Sequence, residues 1–339
     1  MTDEAFWLRV LGRERIAYAA ESARPLIEGE VVLVTGAGGT IGSALVAACL
    51  ALGARQVLAL DWSENLLFTL DERFKGKPVR TFLGSVQDPL LLDRVMLIEP
   101  SVVFHAAAVK HVARAEREPA IAARVNVGGT FAIAACDAPC VRRAVLVSTD
   151  KAAAPTTIMG MTKRVAEGVW TAFGARGVAV RPVNVIGSSG SVGETFLARQ
   201  RASLPIEASP ASRMFATAEE TAAMILEAAA ADNGTACVAY PGPAPPAMTM
   251  QQLAARIAFE EAIDTPAIGS RSLFASEKVD EVLIGCDEGF PIRLTDRLMA
   301  VANLGDMALA GEARRVAETG SDRAVRELLR GTFGRRAAA

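Results

Sequence analysis

The sequence predicts an α/β protein: a doubly wound parallel sheet followed by a smaller C-terminal α/β region. Three observations carry this expectation. Between residues 30 and 182, short β-branched runs ("VVLVTG", "QVLALD", "VRTFLG", "SVVFHAAA", "RAVLVSTD", "GVAVRPVNV") alternate with helical patterns, as βαβ units require. The first run opens directly into a glycine-rich turn and an alanine-rich helix. Beyond Asn184 the elements shorten, with a helix expected over 218–231, a strand over 236–240 and a helix over 250–262.

In chain order, residues 3–26 read as one or two amphipathic helices leading into the first strand. The expected units are a helical segment over 1–28, the wound sheet over 29–184, and the smaller region over 185–339. The proline cluster "PGPAPPAMT" is a loop, and a basic helical tail over 313–329 ends in a frayed "GRRAAA". No internal repeat is present.

Composition narrows the function classes. The 339 residues are 51% apolar and 22% charged, enough for a full core without disulfides or metal. A net charge of −2 gives no sign of nucleic-acid or anionic-membrane binding. The five cysteines (Cys49, Cys136, Cys140, Cys237, Cys286) show no CxxC spacing and read as reduced thiols of a cytoplasmic protein. Only two histidines are present, which disfavours zinc sites and Ser-His-Asp chemistry. The first residues are too charged for a signal peptide, and no apolar run reaches membrane-spanning length.

In "VVLVTGAGGTIGSALV", Gly36, Gly39 and Gly42 lie between strand and helix. Glycine there allows the tight turn, the approach of backbone to a pyrophosphate, and close helix–strand packing. The helix N-terminus then faces the phosphates with its free N–H groups. This is the Rossmann-type arrangement, with ligands beyond the carboxyl ends of the strands. Asp61 closes the second strand about 20 residues on, where a carboxylate accepts bonds from the adenosine ribose and repels a 2′-phosphate, favouring NAD. Asp61 could instead cap the next helix, a job open also to Ser63. Asp88 either meets adenine or caps the helix that Pro89 begins.

"TGAGGTIGS", "DWSENLL", "VVFHAAAVKHV", "NVGGT", "VSTDKAAAPTTIMGMTKR" and "NVIGSSGSV" together resemble an extended short-chain dehydrogenase/reductase. The pattern is similar to the capsular-polysaccharide type, the UDP-N-acetylglucosamine 4,6-dehydratases, across residues 11–283. Larger members carry transmembrane helices before this domain, and the chain resembles their soluble catalytic part. The resemblance implies an internal NAD cycle on a UDP-sugar. It assigns Lys151 as base for the C5 proton, Asp150 as acid for the C6 hydroxyl, Thr149 near C4, and Lys163 on the nicotinamide ribose. The implied cofactor contacts are Thr35, Gly36, Gly38, Gly39, Thr40, Ile41, Gly42, Asp61, Ser63, Asp88, Ala106, Ala107 and Lys163. Substrate contacts are expected from Lys110, His111, Asn184, Arg213 and Glu277. His105 is expected beneath the cofactor, and Asn126 is expected to hold local backbone.

The pattern departs from the family at several points. Met159 occupies the position of the usual tyrosine, four residues before Lys163, and a thioether moves no proton. Some family members share this methionine, so it reads as a packing residue at the nicotinamide pocket. The proton of the C4 hydroxyl then passes through Thr149 to water or to Asp150, and the sequence does not choose. The family arginine of "GSRGS" is Ser189, and that of "RPGEKLHEEL" is Phe274; these changes remove bidentate phosphate contacts, with Arg271 as a candidate replacement. A nucleotide-sugar 4-epimerase and a catalytically silent NAD-binding scaffold are the alternatives. A homo-oligomer is expected, built partly on helices over 120–135 and 163–173, whose alanines permit close approach.

Overall fold

The computed structural model describes residues 3–136, 138–231, 234–263, 268–273, 277–302 and 305–336. The N-terminal part holds helices α1 (Glu4–Leu11) and α2 (Arg24–Ile27). The wound part then runs β1 (Val31–Thr35), α3 (Thr40–Ala51), β2 (Gln56–Asp61), α4 (Glu64–Arg73), β3 (Val79–Leu83), α5 (Pro89–Met96) and β4 (Val102–His105). It continues through α6 (Val112–Arg117), α7 (Pro119–Ala123), α8 (Gly129–Ala135), β5 (Arg143–Val147), α9 (Ile158–Val169) and β6 (Gly177–Val180). Next come β7 (Asn184–Val185), α10 (Val192–Arg201), β8 (Ile206–Ala208), β9 (Ser212–Ala216), α11 (Ala218–Ala230), β10 (Cys237–Pro241), β11 (Ala247–Thr249) and α12 (Met250–Glu260). The last elements are β12 (Ile268–Ser270), β13 (Ile292–Arg293), β14 (Leu298–Ala302), α13 (Met307–Glu318) and α14 (Asp322–Arg336).

Helix starts follow local chemistry. Ser63, Thr157, Ser191 and Asp306 each accept a backbone N–H of the turn they open, as N-caps do. Thr217 with Glu220, and Thr249 with Gln252, form reciprocal capping boxes.

The main sheet has the order β13-β14-β10-β6-β5-β4-β1-β2-β3. From β3 to β10 neighbouring strands are parallel, while β14 and β13 add antiparallel at one edge. Strand order reverses between β1 and β4, which opens a crevice at their carboxyl ends. Alternation decides the two faces of β1. Val32 and Val34 enter a cluster with Leu45, Val46 and the α11 residues Ile225 and Leu226. Val31 and Leu33 enter the opposite cluster with Leu91, Ile133 and Trp170.

The N-terminal segment does not behave as one lead-in. Phe6, Trp7 and Val10 of α1 pack with α10, α12 and β9, whereas Ala23 and Ile27 join the cluster beneath the main sheet. Amphipathicity marks α1 as docked but cannot name its partner, because any apolar surface satisfies it equally.

The C-terminal tail differs from the single helix expected. Gly320, at φ +74°, ends α13, and Ser321 Oγ accepts from Ala324 N at 3.2 Å as α14 begins. The two helices turn back over α7 and α9. Leu309, Ala313, Val325, Leu329 and Phe333 are buried with Ala122, Ala123, Val165 and Val169. Asp322 accepts from Ala120 N at 2.8 Å, and Glu116 takes Arg326 and Arg330. The alanine-rich face expected to pair across a two-fold axis is therefore covered from within the chain. A contact between copies through this covered face would need α13 and α14 to move aside.

This covering generates a prediction. Leu329 has no exposed surface, so Leu329→Ala should cost about 2–5 kcal/mol and lower the melting temperature. Truncation after residue 304 should expose the face and produce self-association in sedimentation experiments. A truncated chain that stays monomeric and equally stable would contradict this reading of the contact.

Candidate active site

The crevice is built from the ends of β1, β2 and β4. Gly36 (φ +66°) leaves β1 so close to the chain after β4 that an added Cβ would sit 2.6 Å from Ala107 N. A Cβ on Gly42 would lie 2.1 Å from Gly36 O. Both glycines are required by backbone contact, and α3 then begins with no side chain capping it. Its first N–H groups face the crevice mouth, the arrangement that receives phosphate.

Asp61 is 4% exposed at the end of β2. Its Oδ2 accepts from Gly38 N and its Oδ1 from Ser63 N, both at 3.0 Å. The capping of α4 falls to Ser63, so Asp61 ties β2 to the glycine turn. Asp88 does cap its helix, accepting from Leu90 N at 3.0 Å and Leu91 N at 3.3 Å. Thr35 and His105 are buried beneath the turn, with Oγ1 and Nδ1 2.7 Å apart. His105 stacks on Trp170 (5.7 Å between ring centroids). Burial, reinforced by the positive charge of Lys163, pushes its pKa down to about 3. Ala106 and Ala107 line the adjacent edge after β4, while Thr40 and Ile41 begin α3.

The second group stands at the end of β5. Thr149 caps a short 3-10 turn over 150–152. Its Oγ1 donates to Asp150 Oδ1 at 3.0 Å. Lys151 Nζ donates to Asp150 Oδ1 and to Asn184 Oδ1, each at 2.9 Å. Asn184 Nδ2 completes the ring by donating to Asp150 Oδ2 at 3.2 Å. Asp150 is 1% exposed and thus receives three side-chain donors in a nearly dry setting.

Met159 and Lys163 lie one turn apart on α9, hence on one side of it. Met159 is 5% exposed and belongs to the apolar cluster that also holds Ala115, Ala123, Ile158 and Val165. Asn126 bonds both backbone groups of Val109 (2.8 Å from N, 3.1 Å to O) and donates to Thr162 Oγ1 at 2.9 Å. It thereby holds the chain after β4 against α9. Lys163 is 3% exposed, and burial lowers its pKa to about 8 against the opposing pull of Glu167.

The remaining positions form the far side. Lys110 Nζ donates to Ser189 O at 2.9 Å, and the His111 ring lies beside Gly190. Ser189 N donates to Thr40 Oγ1 at 3.3 Å, so this loop touches the start of α3. Arg213 was expected to meet a diphosphate, yet its Nη atoms serve the protein. They donate to Ser212 O, Val279 O and Lys278 O and pair with Glu277. Arg271 also pairs with Glu277, at 3.4 Å. Phe274 lies outside the described residues. Sequence reasoning missed Glu281: its Oε1 is 3.5 Å from Lys151 Nζ, and its side chain is 4% exposed. Within "EKVDEVL" it reads as one more charge on a solvated run; only its match to a family glutamate set it apart. Lys278, whose Nζ donates to Ala153 O at 2.9 Å, binds the same segment to the turn after β5.

A doubly wound sheet with a glycine turn at its switch point, a Thr-Asp-Lys turn after β5 and a lysine on α9 defines an extended short-chain dehydrogenase/reductase. The model of the polysaccharide biosynthesis protein family matches residues 32–303, and the chain belongs to that family. It is 35% identical over 238 residues to the probable polysaccharide biosynthesis protein EpsC of Bacillus subtilis, covering 66% of this chain and 40% of that one. The chain thus spans less than half the length of that relative. It is 28% identical over 275 residues to an inverting UDP-N-acetylglucosamine 4,6-dehydratase of Campylobacter jejuni, covering 78% and 80% of the two chains. Among solved structures, Pen from Bacillus thuringiensis matches with a TM-score of 0.74 and 25% identity, covering 82% and 89%. A dTDP-glucose 4,6-dehydratase of Streptomyces venezuelae, solved with NAD bound, shares the fold (TM-score 0.65, 20% identity, 75% and 88% covered). Among the described residues no helix is long and apolar enough to cross a membrane.

The buried Lys163 yields a pH prediction. Its folded pKa lies below the unfolded value of about 10.4, so the unfolded chain binds more protons between the two. Its contribution to stability should therefore rise as pH increases from about 8 toward 10.4. Lys163→Met should remove that rise. Identical pH–stability curves for the two proteins would refute the assignment.

Proposed function

We propose that the protein is an NAD-dependent nucleotide-sugar 4,6-dehydratase, acting on UDP-N-acetylglucosamine or a related UDP-sugar to give a 4-keto-6-deoxy sugar for glycan assembly. The carrying observation is the Asp150–Lys151–Asn184 ring beside Thr149 at the mouth of β5. An epimerase needs the hydride cycle and one group, usually the tyrosine that Met159 replaces here, to take and return the C4 hydroxyl proton. A dehydratase also needs a base at C5 and an acid at C6, and this turn offers both. Residues 29–184 then bind the cofactor and carry the chemical turn, and residues 185–339 form the substrate-binding region.

The residues fit NAD. The glycine turn leaves bare backbone for a pyrophosphate, the uncapped start of α3 faces it, and Asp61 offers a carboxylate to a ribose. Bound NAD supplies the acceptor that takes hydride from C4 and the donor that returns it to C6. Lys163 would hold the nicotinamide ribose, and Met159, one turn earlier on α9, would serve as packing at the nicotinamide pocket.

With no tyrosine at Met159, Thr149 carries the C4 hydroxyl proton. Its Oγ1 accepts that proton while passing its own to Asp150 Oδ1 along the 3.0 Å contact. Asp150 thereby holds the proton that the C6 hydroxyl needs to leave as water. Lys151, as the free amine, removes the C5 proton and later returns it to C5. The balance closes: the substrate loses one C4 hydroxyl proton and one C6 hydroxide, and hydride moves from C4 to C6.

Lys151→Ala should leave C4 oxidation possible and block deprotonation at C5. Mixed with UDP-N-acetylglucosamine, this variant should accumulate bound NADH, with turnover down roughly 10²–10⁴-fold. Normal turnover by the variant would sink the mechanism. With the unmodified protein, an epimer formed without loss of water would instead support the epimerase reading.

Asp61→Ala tests the cofactor assignment separately. Calorimetry should show weaker NAD binding and a reduced preference for NAD over NADP. Equal affinity of the unmodified protein for the two would contradict the role given to Asp61.

A further inference from the structure

Glu281 stands among three cations. Its Oε1 lies 3.5 Å from Lys151 Nζ and 4.0 Å from Arg213 Nε, and its Oε2 lies 3.4 Å from Lys278 Nζ. Yet among the described residues no donor forms a hydrogen bond to Oε2, although the atom is buried. A carboxylate kept only for architecture has both oxygens hydrogen-bonded, because a buried acceptor left open is costly. The other carboxylate on Lys151 shows the contrast: both oxygens of Asp150 receive donors at 2.9–3.2 Å. The open acceptor, Oε2, lies on the Lys278 side, while Oε1 faces the Lys151 amine at 3.5 Å.

Building on the dehydratase reading, we propose that Glu281 is a positioning residue for C5 deprotonation, holding Lys151 in place while Asp150 changes protonation state. An ammonium has three donors. Asp150 and Asn184 take two, and Glu281 Oε1 is the further acceptor nearby, 3.5 Å from Nζ. In the proposed cycle Asp150 becomes an acid and ceases to anchor Lys151 as an anion. The free amine has two N–H groups and one lone pair. Asn184 Oδ1 and Glu281 Oε1 can accept those two N–H groups, and neither donates to the lone pair, which is left for the C5 proton. Glu281 also reaches Lys278 and Arg213, so the amine is referenced to the segment that carries Glu277.

The test loads the full chain with NAD and UDP-N-acetylglucosamine in D₂O. It follows NADH formation, deuterium entry at C5, and KM against kcat. Glu281→Gln keeps the side-chain shape and removes its charge. Exchange at C5 should fall by at least about tenfold while C4 oxidation persists and KM stays within about threefold. A purely architectural role predicts the opposite: lower melting temperature or higher KM, with the ratio of C5 exchange to C4 oxidation unchanged. That result would overturn the inference, as would exchange by the variant within about threefold of the unmodified protein. If Glu281→Gln fails to fold, Glu281→Asp, which keeps the charge on a shorter arm, should show the same selective loss of exchange; full exchange there overturns the inference. An unmodified protein that neither forms NADH nor exchanges C5 overturns the dehydratase reading and this inference together. Turnover in the unmodified protein with an indifferent Glu281→Gln overturns this inference alone.

Discussion

The approach of backbone to backbone at Gly36 is the constraint on which the rest of the molecule turns. β1 and β4 are neighbours in the sheet, yet the chains leave them toward opposite sides. Because no Cβ fits between Gly36 and Ala107, the two departures almost touch before they separate. The crevice is therefore set by steric exclusion, independently of any polar group lining it. Asp61 then fastens the turn to β2 through Gly38 N, and Thr35 with His105 fills the space beneath. Each of these contacts presupposes that the turn is already tight.

A second constraint joins the helix of Lys163 to the later chain. Arg181, fully buried, bonds Glu167 of α9 through Nε and Nη2 at 2.7–2.8 Å and Glu288 through Nη1 and the same Nη2 at 2.7 Å. Arg164 pairs with both carboxylates, and Ser148 donates to Glu167 at 2.6 Å. Two guanidinium groups against two carboxylates balance in charge, and the bonds are bidentate, the geometry in which burial of ions is tolerable. The network spans from the residue before Thr149 to the segment after Glu281. The two ends of the chemical turn are thus held by one rigid polar unit, which an apolar core could not orient as sharply.

How much of this was legible depended on the kind of signal involved. The strands of the wound sheet and the glycine turn announce themselves because period, turn chemistry and spacing are local properties; the Thr-Asp-Lys turn stood out through the family resemblance. Asn126 was expected as a backbone anchor through the same resemblance, and its bonds to both backbone groups of Val109 agree with that. Tertiary choices were not. Nothing local tells α1 to leave the sheet and pack on α12, nor tells the tail to fold at Gly320 and cover α7 and α9. The arginine of "ASRMFAT" reads as a phosphate ligand because guanidinium suits phosphate; it equally suits the carbonyls of residues 278 and 279, and the fold supplies those first. Glu281 escaped for the same reason: its meaning lies in a contact across more than a hundred residues.

The methionine at position 159 is best understood through the same competition between local and tertiary demands. A phenol there would need a hydrogen-bond partner beside Lys163, whereas the surroundings are alanine, isoleucine and valine side chains. A thioether fills such an irregular apolar gap without leaving a buried polar atom unpaired. In the proposed mechanism, the proton traffic that a phenol would carry runs where donors and acceptors already form a chain. Among the described residues that chain is Thr149, Asp150, Asn184 and Lys151, each linked to the next within 3.2 Å. Packing on α9 and polar continuity at the end of β5 are therefore two sides of one arrangement in the proposed mechanism: α9 carries a thioether where a phenol would stand, and the neighbouring turn supplies the groups that would close the proton balance.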